Sequence, residues 1–164
     1  MANQATKETE IKSAVNRDDR KALSKRLGEV LATSYVLYHK IHAYHWNVVG
    51  PLFYAVHKLT DEQYQDIAAA IDEIAERVRA LGFPTPVGLT SYMQNSVVED
   101  VSGLPSAEDM IKELAADHHK LSEQMRKAVE EADKHDDVFT ADLLTSRIGA
   151  HEEAAWMLTS LLSK

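Results

Sequence analysis

The stretch HAYHWNVVGPLFYAVHKLTD, residues 42–61, sets three histidines and a tryptophan around a Gly-Pro dipeptide in a chain otherwise patterned as helix. Gly50 is typical of a helix end and Pro51 of a helix start, so the stretch predicts a reversal of the chain between two helices. His45 lies five residues before Gly50, and His57 lies seven residues after it. After a reversal, the two imidazoles sit at similar heights on adjacent antiparallel helices and face one another.

Apolar residues recur at steps of three and four in four blocks of the chain, which predicts four amphipathic helices. The first block ends at Gly50, and Asp18 or Asp19 is its expected N-cap. The second block begins at Pro51, a good residue for a first helical turn, and stops at Gly82.

A long connection, residues 83–105, separates the second block from the third and contains three of the four prolines. That length indicates a crossover along a bundle, and LTSYMQN within it predicts a short helix. The third helix opens at Ser106, which makes a capping-box-like pair with Asp109, and the fourth follows DKHDD. The sequence therefore predicts an all-α, ferritin-like four-helix bundle with one long crossover over residues 18–164, preceded by a flexible arm over residues 1–17.

The composition limits the classes of protein and of metal site that this chain allows. Its 164 residues, 45 % hydrophobic and 27 % charged, suit one globular domain. The formal net charge of −8 argues against a generally basic surface for nucleic acid. The chain has no cysteine, so nitrogen and oxygen must hold any metal ion. It shows neither a signal peptide nor a run of about 18 apolar residues, and we expect a cytoplasmic protein without a membrane segment.

Two pairs of side chains on the second predicted helix share the spacing i, i+4. His57 and Asp61 form one pair, and Asp72 and Glu76 form the other. At about 100° per residue, all four lie on one side of that helix. The midpoints of the two pairs are, however, roughly 22 Å apart along a straight helix, so a single chain cannot bring both pairs to one metal ion.

A second copy of the chain removes this obstacle. If the helix packs antiparallel on its own symmetry mate about a two-fold axis near residues 66 and 67, the first pair of each chain meets the second pair of the other. The small residues 68–70 in DIAAAID allow two such helices to approach closely. Each of the two equivalent sites would hold His45, His57 and Asp61 from one chain and Asp72 and Glu76 from its mate.

Two imidazoles and three carboxylates suit iron, zinc or manganese and are too rich in nitrogen for a typical calcium or magnesium site. The alternative is that each pair is simply solvated on an acidic helix, which is the commoner meaning of that spacing. His118 and His151 fall on core-facing stripes, and we interpret them as buried, hydrogen-bonded histidines, with an auxiliary role as ligands left open. A di-iron site inside one bundle is disfavoured, because the chain contains no Glu-x-x-His.

The first two helices carry a pattern that resembles the signature of the Dps family, the mini-ferritins named after a DNA-binding protein of starved cells. The resemblance covers about residues 18–164 and includes the long connection between the second and third helices. The matching positions are His45, Trp46, Asn47, Val48, Gly50, His57 and Asp61, followed by Asp72 and Glu76 within DEIAER.

The resemblance implies a hollow homo-dodecamer with ferroxidase centres at its two-fold dimer interfaces. It also implies that the protein oxidises Fe(II), preferably with hydrogen peroxide, and stores Fe(III) mineral, which protects against oxidative damage. The centre would be a di-iron site that zinc can occupy as a surrogate. Its implied ligands are His45, His57, Asp61, Asp72 and Glu76.

The family name also raises DNA binding, and the alternative function is that of a structural protein that compacts the nucleoid. Residues 1–20 carry four basic and four acidic side chains, which do not make a basic arm. Lys164 follows closely on the last predicted helix, which leaves no basic tail there. We therefore expect weak or absent DNA binding.

An acidic cluster around the start of the fourth helix resembles the family's three-fold pore region, where symmetry would triple each charge and attract cations. Within this cluster, Asp137 and Asp142 are the candidate pore residues. The alternative is that such a carboxylate caps the fourth helix.

Overall fold

The computed structural model describes residues 8–163, which form five α-helices and no strand. Four long helices pack as a bundle, and a short helix lies in the connection between the second and third of them. The predicted all-α, ferritin-like four-helix bundle with a long crossover is confirmed. In chain order the helices are α1 (Arg17–Asn47), α2 (Phe53–Ala80), α3 (Leu89–Asn95), α4 (Ala107–Lys134) and α5 (Val138–Ser160).

The turn between α1 and α2 is built on Gly50, whose φ of 90° is strained for any residue with a side chain. Phe53 N–H donates to the Gly50 carbonyl at 3.0 Å, and the first α-helical bond runs from Val56 N–H to the Leu52 carbonyl. The helix therefore begins two residues after Pro51, and the expectation that Pro51 forms its first turn is wrong. The chain still reverses at the predicted dipeptide.

The N-terminus of α1 is capped by Asn16, and the expectation of Asp18 or Asp19 as the cap is wrong. The Asn16 side-chain oxygen accepts hydrogen bonds from the N–H groups of Asp18, at 3.1 Å, and Asp19, at 3.0 Å. Asparagine and aspartate cap helices about equally well, so sequence alone could not rank these neighbours. At α4, Ser106 caps the helix by accepting from Asp109 N–H, as predicted.

Two ion pairs fix the register of α2 against α5. Arg147 Nη1 donates to Asp66 Oδ1 at 2.9 Å, and Arg77 Nη2 donates to Asp137 Oδ1 at 2.7 Å. The later residue of α2, Arg77, pairs with the earlier residue of the α5 end, Asp137. The two helices therefore run antiparallel, and the ion pairs join them at two heights of the bundle.

The crossover lies against the outside of α1. Tyr92 of α3 stacks on Tyr35 of α1 with 4.8 Å between ring centroids. Further along the connection, Val97 N–H donates to Thr33 Oγ1 at 3.1 Å. These contacts hold the connection along the bundle, so that α4 starts near the end from which α2 started.

The core is aliphatic and draws on all four long helices, and its burial supplies the main driving force for folding. Both tryptophans lie outside this core, since Trp46 and Trp156 are each 65 % exposed in the single chain. Within residues 8–163, no helix combines the length and the apolar character that crossing a bilayer requires. The largest fully buried side chains are Tyr44, Leu23, Leu27, Leu31, Leu37, Ile41, Ile67, Ile74, Leu81, Ile111, Leu114 and Leu121.

Residues 8–16 lie against the end of α2. Thr9 N–H donates to the Gly82 carbonyl at 3.0 Å. Gly82 has a φ of 97°, and a Cβ at this position would meet the Thr9 carbonyl oxygen at 2.9 Å, so the contact requires glycine. Of the predicted arm, residues 1–7 lie outside the described residues, and the flexibility of residues 1–17 stays a prediction.

The N-cap of α5 is Asp137, which is buried. Its carboxylate accepts from Thr140 N–H at 3.1 Å and from the Arg77 guanidinium at 2.7 Å. Burial alone would raise the pKa of this carboxyl, but the hydrogen bonds from Arg77 and Thr140 hold that pKa below its usual value. Asp137 is thus a capping residue whose charge is already paired, whereas Asp142 is exposed.

Replacing Asp137 by alanine removes this cap and leaves Arg77 without its partner. We expect the free energy of unfolding to fall by roughly 2–4 kcal/mol, because a lost cap costs about 1 kcal/mol and a broken buried ion pair costs more. Urea denaturation measures the loss. The exposed Asp142→Ala is the matched control, with an expected change within about 0.5 kcal/mol, and equal losses in both variants would contradict the capping role.

Candidate metal centre

His45, near the end of α1, and His57, at the start of α2, face one another across the Gly50 turn. Their rings are nearly parallel, at an interplanar angle of 16° with 3.9 Å between centroids. His45 is buried, and His57 is half-buried. The structure therefore brings together the two imidazoles that the Gly-Pro stretch places at similar heights.

Each of these imidazoles is held by the backbone of the opposite helix. His45 Nδ1 lies 3.0 Å from the His57 carbonyl oxygen, and His57 Nδ1 lies 2.9 Å from the His45 carbonyl oxygen. A carbonyl oxygen only accepts, so both rings carry their proton on Nδ1 and keep a free lone pair on Nε2. A histidine that binds a metal ion commonly donates its other nitrogen to a backbone carbonyl in this way.

Asp61 lies one turn after His57 and is held by Tyr64. The Tyr64 hydroxyl donates to Asp61 Oδ1 at 2.6 Å. This hydrogen bond is the main cause of the lowered pKa of the Asp61 carboxyl; burial opposes it, while Gln65, His45 and Lys58 add to it. The carboxylate is therefore ionised at neutral pH.

Tyr64 and Thr60 contact the candidate ligands, and the sequence pattern did not identify either of them as part of the site. Thr60 Oγ1 lies 3.2 Å from His45 Nδ1 as a second contact to that ring. The signal for Tyr64 was its spacing of three residues from Asp61, which puts both on one helix face. No comparable signal marked Thr60, because its contact crosses to another helix.

A column of rings packs beside the two imidazoles. Trp46 stacks on His42 at 4.8 Å between centroids, and His42 packs on Tyr64 at 4.0 Å. Burial lowers the pKa of His42, and the neighbouring His45 lowers it further, so His42 is a neutral packing partner at neutral pH. The column restricts rotation of the phenol that holds Asp61.

Asp72 and Glu76 lie further along α2, and both are exposed. Asp72 follows Asp61 by roughly 16 Å along the helix axis. Glu76 borders an open cleft of about 440 Å³ together with Phe139 and Leu143 of α5. Within residues 8–163, no three His, Asp or Glu side chains converge in a way that could hold a metal ion. One chain thus presents a histidine half and an acidic half on separate parts of its surface.

The chain is similar in sequence to ferritin-like proteins. The Ferritin-like domain family matches residues 24–164. An uncharacterised low temperature-induced protein of Nostoc is 39 % identical over 155 residues, which cover 93 % of this chain and 86 % of the relative. The DNA protection during starvation protein 2 of Bacillus anthracis is 33 % identical over 138 residues, covering 84 % of this chain and 94 % of the relative.

Solved structures agree with these sequence relatives. A Dps protein from Bacillus brevis matches with a TM-score of 0.86 at 30 % identity, covering 93 % of this chain and 100 % of the other. A Dps protein from Vibrio cholerae, described as a ferritin-like diiron-carboxylate protein, matches with a TM-score of 0.86 at 26 % identity. That match covers 94 % of this chain and 100 % of the other.

In the metal-free protein above neutral pH, we expect His45 and His57 to be the Nδ1–H tautomer, because each Nδ1 faces a carbonyl oxygen. Long-range ¹⁵N–¹H NMR of the imidazole rings distinguishes the tautomers by the chemical shift of Nε2. His119, which is exposed, is the comparator. Nε2–H tautomers at His45 and His57 would contradict the hydrogen bonding described.

Proposed function

The chain belongs to the ferritin-like family and, within it, to the Dps proteins, and we propose on that premise that it oxidises Fe(II) at a metal centre shared by two chains. The observation that carries the proposal is the histidine half-site, with two free Nε2 lone pairs beside an ionised carboxylate. The Fe(III) product would be stored as mineral in a hollow oligomer, which we place in the cytoplasm.

The surface around the half-site supports pairing with a second copy. Trp46, Val49 and Tyr54 beside the imidazoles are 65 %, 77 % and 71 % exposed, and exposed apolar side chains grouped in this way mark interaction surfaces. Ala68 and Ala69 are also exposed, so the outer face of α2 carries small side chains where two copies would cross. A two-fold axis at this crossing would carry Asp72 and Glu76 to the partner's imidazoles.

The proposed ligands comprise two imidazole nitrogens and three carboxylates. His45 and His57 would bind iron through Nε2, while three carboxylates balance its charge and favour the oxidised ion. Two Fe(II) ions would give one electron each to hydrogen peroxide, which takes up two protons and leaves as two water molecules. Because peroxide takes up both electrons together, no hydroxyl radical is released, and the reaction would protect against oxidative damage.

Family resemblance carries the remaining features of the assembly into the proposal. They are a dodecamer built from two-fold dimers, zinc as a surrogate for iron, and an acidic entry route. In that route, Asp142 is the better candidate of the two pore residues, because Asp137 is buried and paired with Arg77.

Mixed assemblies test whether the site is shared between chains. One variant, His57→Ala with Asp61→Ala, lacks the histidine half, and another, Asp72→Ala with Glu76→Ala, lacks the acidic half. Random pairing after co-refolding should restore about a quarter of the native sites, because each mixed dimer regains one of its two sites. Fe(III) absorbance after anaerobic Fe(II) and then peroxide measures the rate.

Each variant alone should form shells of native size on size exclusion and should oxidise iron slowly. Mixing the two variants after assembly, without refolding, is the matched control and should restore nothing. Mixed shells that stay as slow as the separate variants would exclude a shared site. Single variants as fast as the native protein would remove these residues from iron oxidation.

We expect no stable complex with duplex DNA at physiological salt, because the net charge is −8 and Arg17 is already bound by Glu8 at 2.6 Å. Gel shifts at about 0.15 M salt measure this. The variant Glu8→Lys with Glu10→Lys supplies a basic arm and is the positive comparator. Tight complexes of the native chain at that salt would favour the nucleoid-compacting alternative.

A further inference from the structure

Two buried histidines join α4 to α5 inside the bundle. Nδ1 of His118 and Nδ1 of His151 are 2.8 Å apart, which is a hydrogen bond between rings. The side chains are 1 % and 2 % exposed. We call them the core histidine pair, and the proposed metal centre uses neither of them.

The number of protons on this pair is restricted by its geometry. Only one proton fits between the two Nδ1 atoms, so one ring donates and the other accepts. Among residues 8–163, Nε2 of His118 is buried without a hydrogen-bond partner. A buried N–H without an acceptor costs more than a buried nitrogen lone pair without a donor, so His118 Nε2 carries no proton. The proton of His118 is then on Nδ1, which donates to Nδ1 of His151. In this state both rings are neutral.

The charged groups that face the pair from α4 and α1 are one acid and the bases bound to it. Asp117 precedes His118 on α4, and its charge raises the pKa of His118, against the larger lowering by burial. This carboxylate is already bound by Lys40 of α1 at 2.7 Å and by Lys120 at 2.8 Å. Two ammonium groups therefore share the charge of the acid that favours a protonated imidazole.

Of the groups on α5, on α2 and next in sequence, Arg147 and His119 lower the pKa of His118, whereas Asp66 raises it. Arg147 lies one turn before His151 and opposes a positive charge on either ring. Asp66 of α2 faces the pair from the opposite helix, but it is bound by Arg147 at 2.9 Å. His119 follows His118 on α4, is exposed and also disfavours a charge on His118.

We propose that the core histidine pair is an acid-sensitive latch between α4 and α5. When both rings are protonated, each Nδ1 carries a proton, and the hydrogen bond is replaced by repulsion between two cations. The rings must then separate or meet water, and either movement loosens α5 from the bundle. The latch is independent of the iron chemistry proposed above.

The direction of the pH dependence follows from the shifted pKa values. Burial lowers the pKa of His118 to about 4 and lowers that of His151 well below its usual value. In the unfolded chain both rings take up a proton near pH 6.5. Between these limits the unfolded chain binds up to about two more protons than the folded chain. The contribution of the pair to the free energy of unfolding is therefore fully present above pH 6.5 and is lost as the pH falls.

Urea unfolding between pH 7 and pH 4.5 tests the latch. The variant His118→Asn with His151→Asn keeps polar groups near both Nδ1 positions but cannot be protonated. In the steepest range, the unfolding constant of the native chain should rise up to about 100-fold more per pH unit than that of the variant. His119→Asn, the exposed neighbour, is the matched control and should keep the native slope. Equal slopes in the double variant and the native chain would overturn the proposal.

Hydrogen exchange of the native chain provides a test that does not depend on a variant that folds. After correction for intrinsic exchange rates, amides of α5 should lose protection between pH 6.5 and pH 4.5 before those of α2. Imidazole NMR should show the pair remaining neutral for as long as α5 is protected. Rings that titrate near pH 6.5 while α5 stays protected would overturn the latch.

Discussion

The unbroken helix α2, Phe53–Ala80, sets the constraint on which the proposed functional organisation depends. A rigid helix holds His57 and Asp61 at one end and Asp72 and Glu76 far along the same side, and no side-chain rotation closes that gap. In the proposed centre, a chain would complete a site only by pairing with another copy. Metal binding and assembly would then be one event, because neither half of the proposed site has enough ligands alone.

The histidine half is organised before any metal ion arrives. The reciprocal hydrogen bonds between the two imidazoles and the two backbone carbonyls select a tautomer and also tie the end of α1 to the start of α2. The same contacts therefore stabilise the turn and orient the ligands. The acidic half differs, because its side chains are exposed and would acquire a defined geometry only against a partner.

The sequence predicted what depends on periodicity and turn residues: the four helices, the crossover with its short helix, and the placing of His45 opposite His57. It failed where neighbouring residues compete for one role, as at Asn16 with Asp18 and Asp19. The sequence did not predict polar contacts between residues that are distant along the chain. Arg77 with Asp137 and His118 with His151 show this, because periodicity says which face is buried and not which polar atoms meet there. The shared ligand set stays a prediction, because it would lie between two chains.

The fixed length of α2 limits how this gene can change. Asp61 and Asp72 are eleven residues apart, close to three full turns, which keeps them on one side of the helix. One inserted residue between them would swing the acidic pair by about 100° and turn it away from a partner's imidazoles. An insertion at an exposed position of the crossover, such as Gly103, would lengthen a surface loop and leave α2 unchanged. Length variation among descendants should therefore accumulate in the crossover, while α2 keeps its residue count even as its sequence drifts.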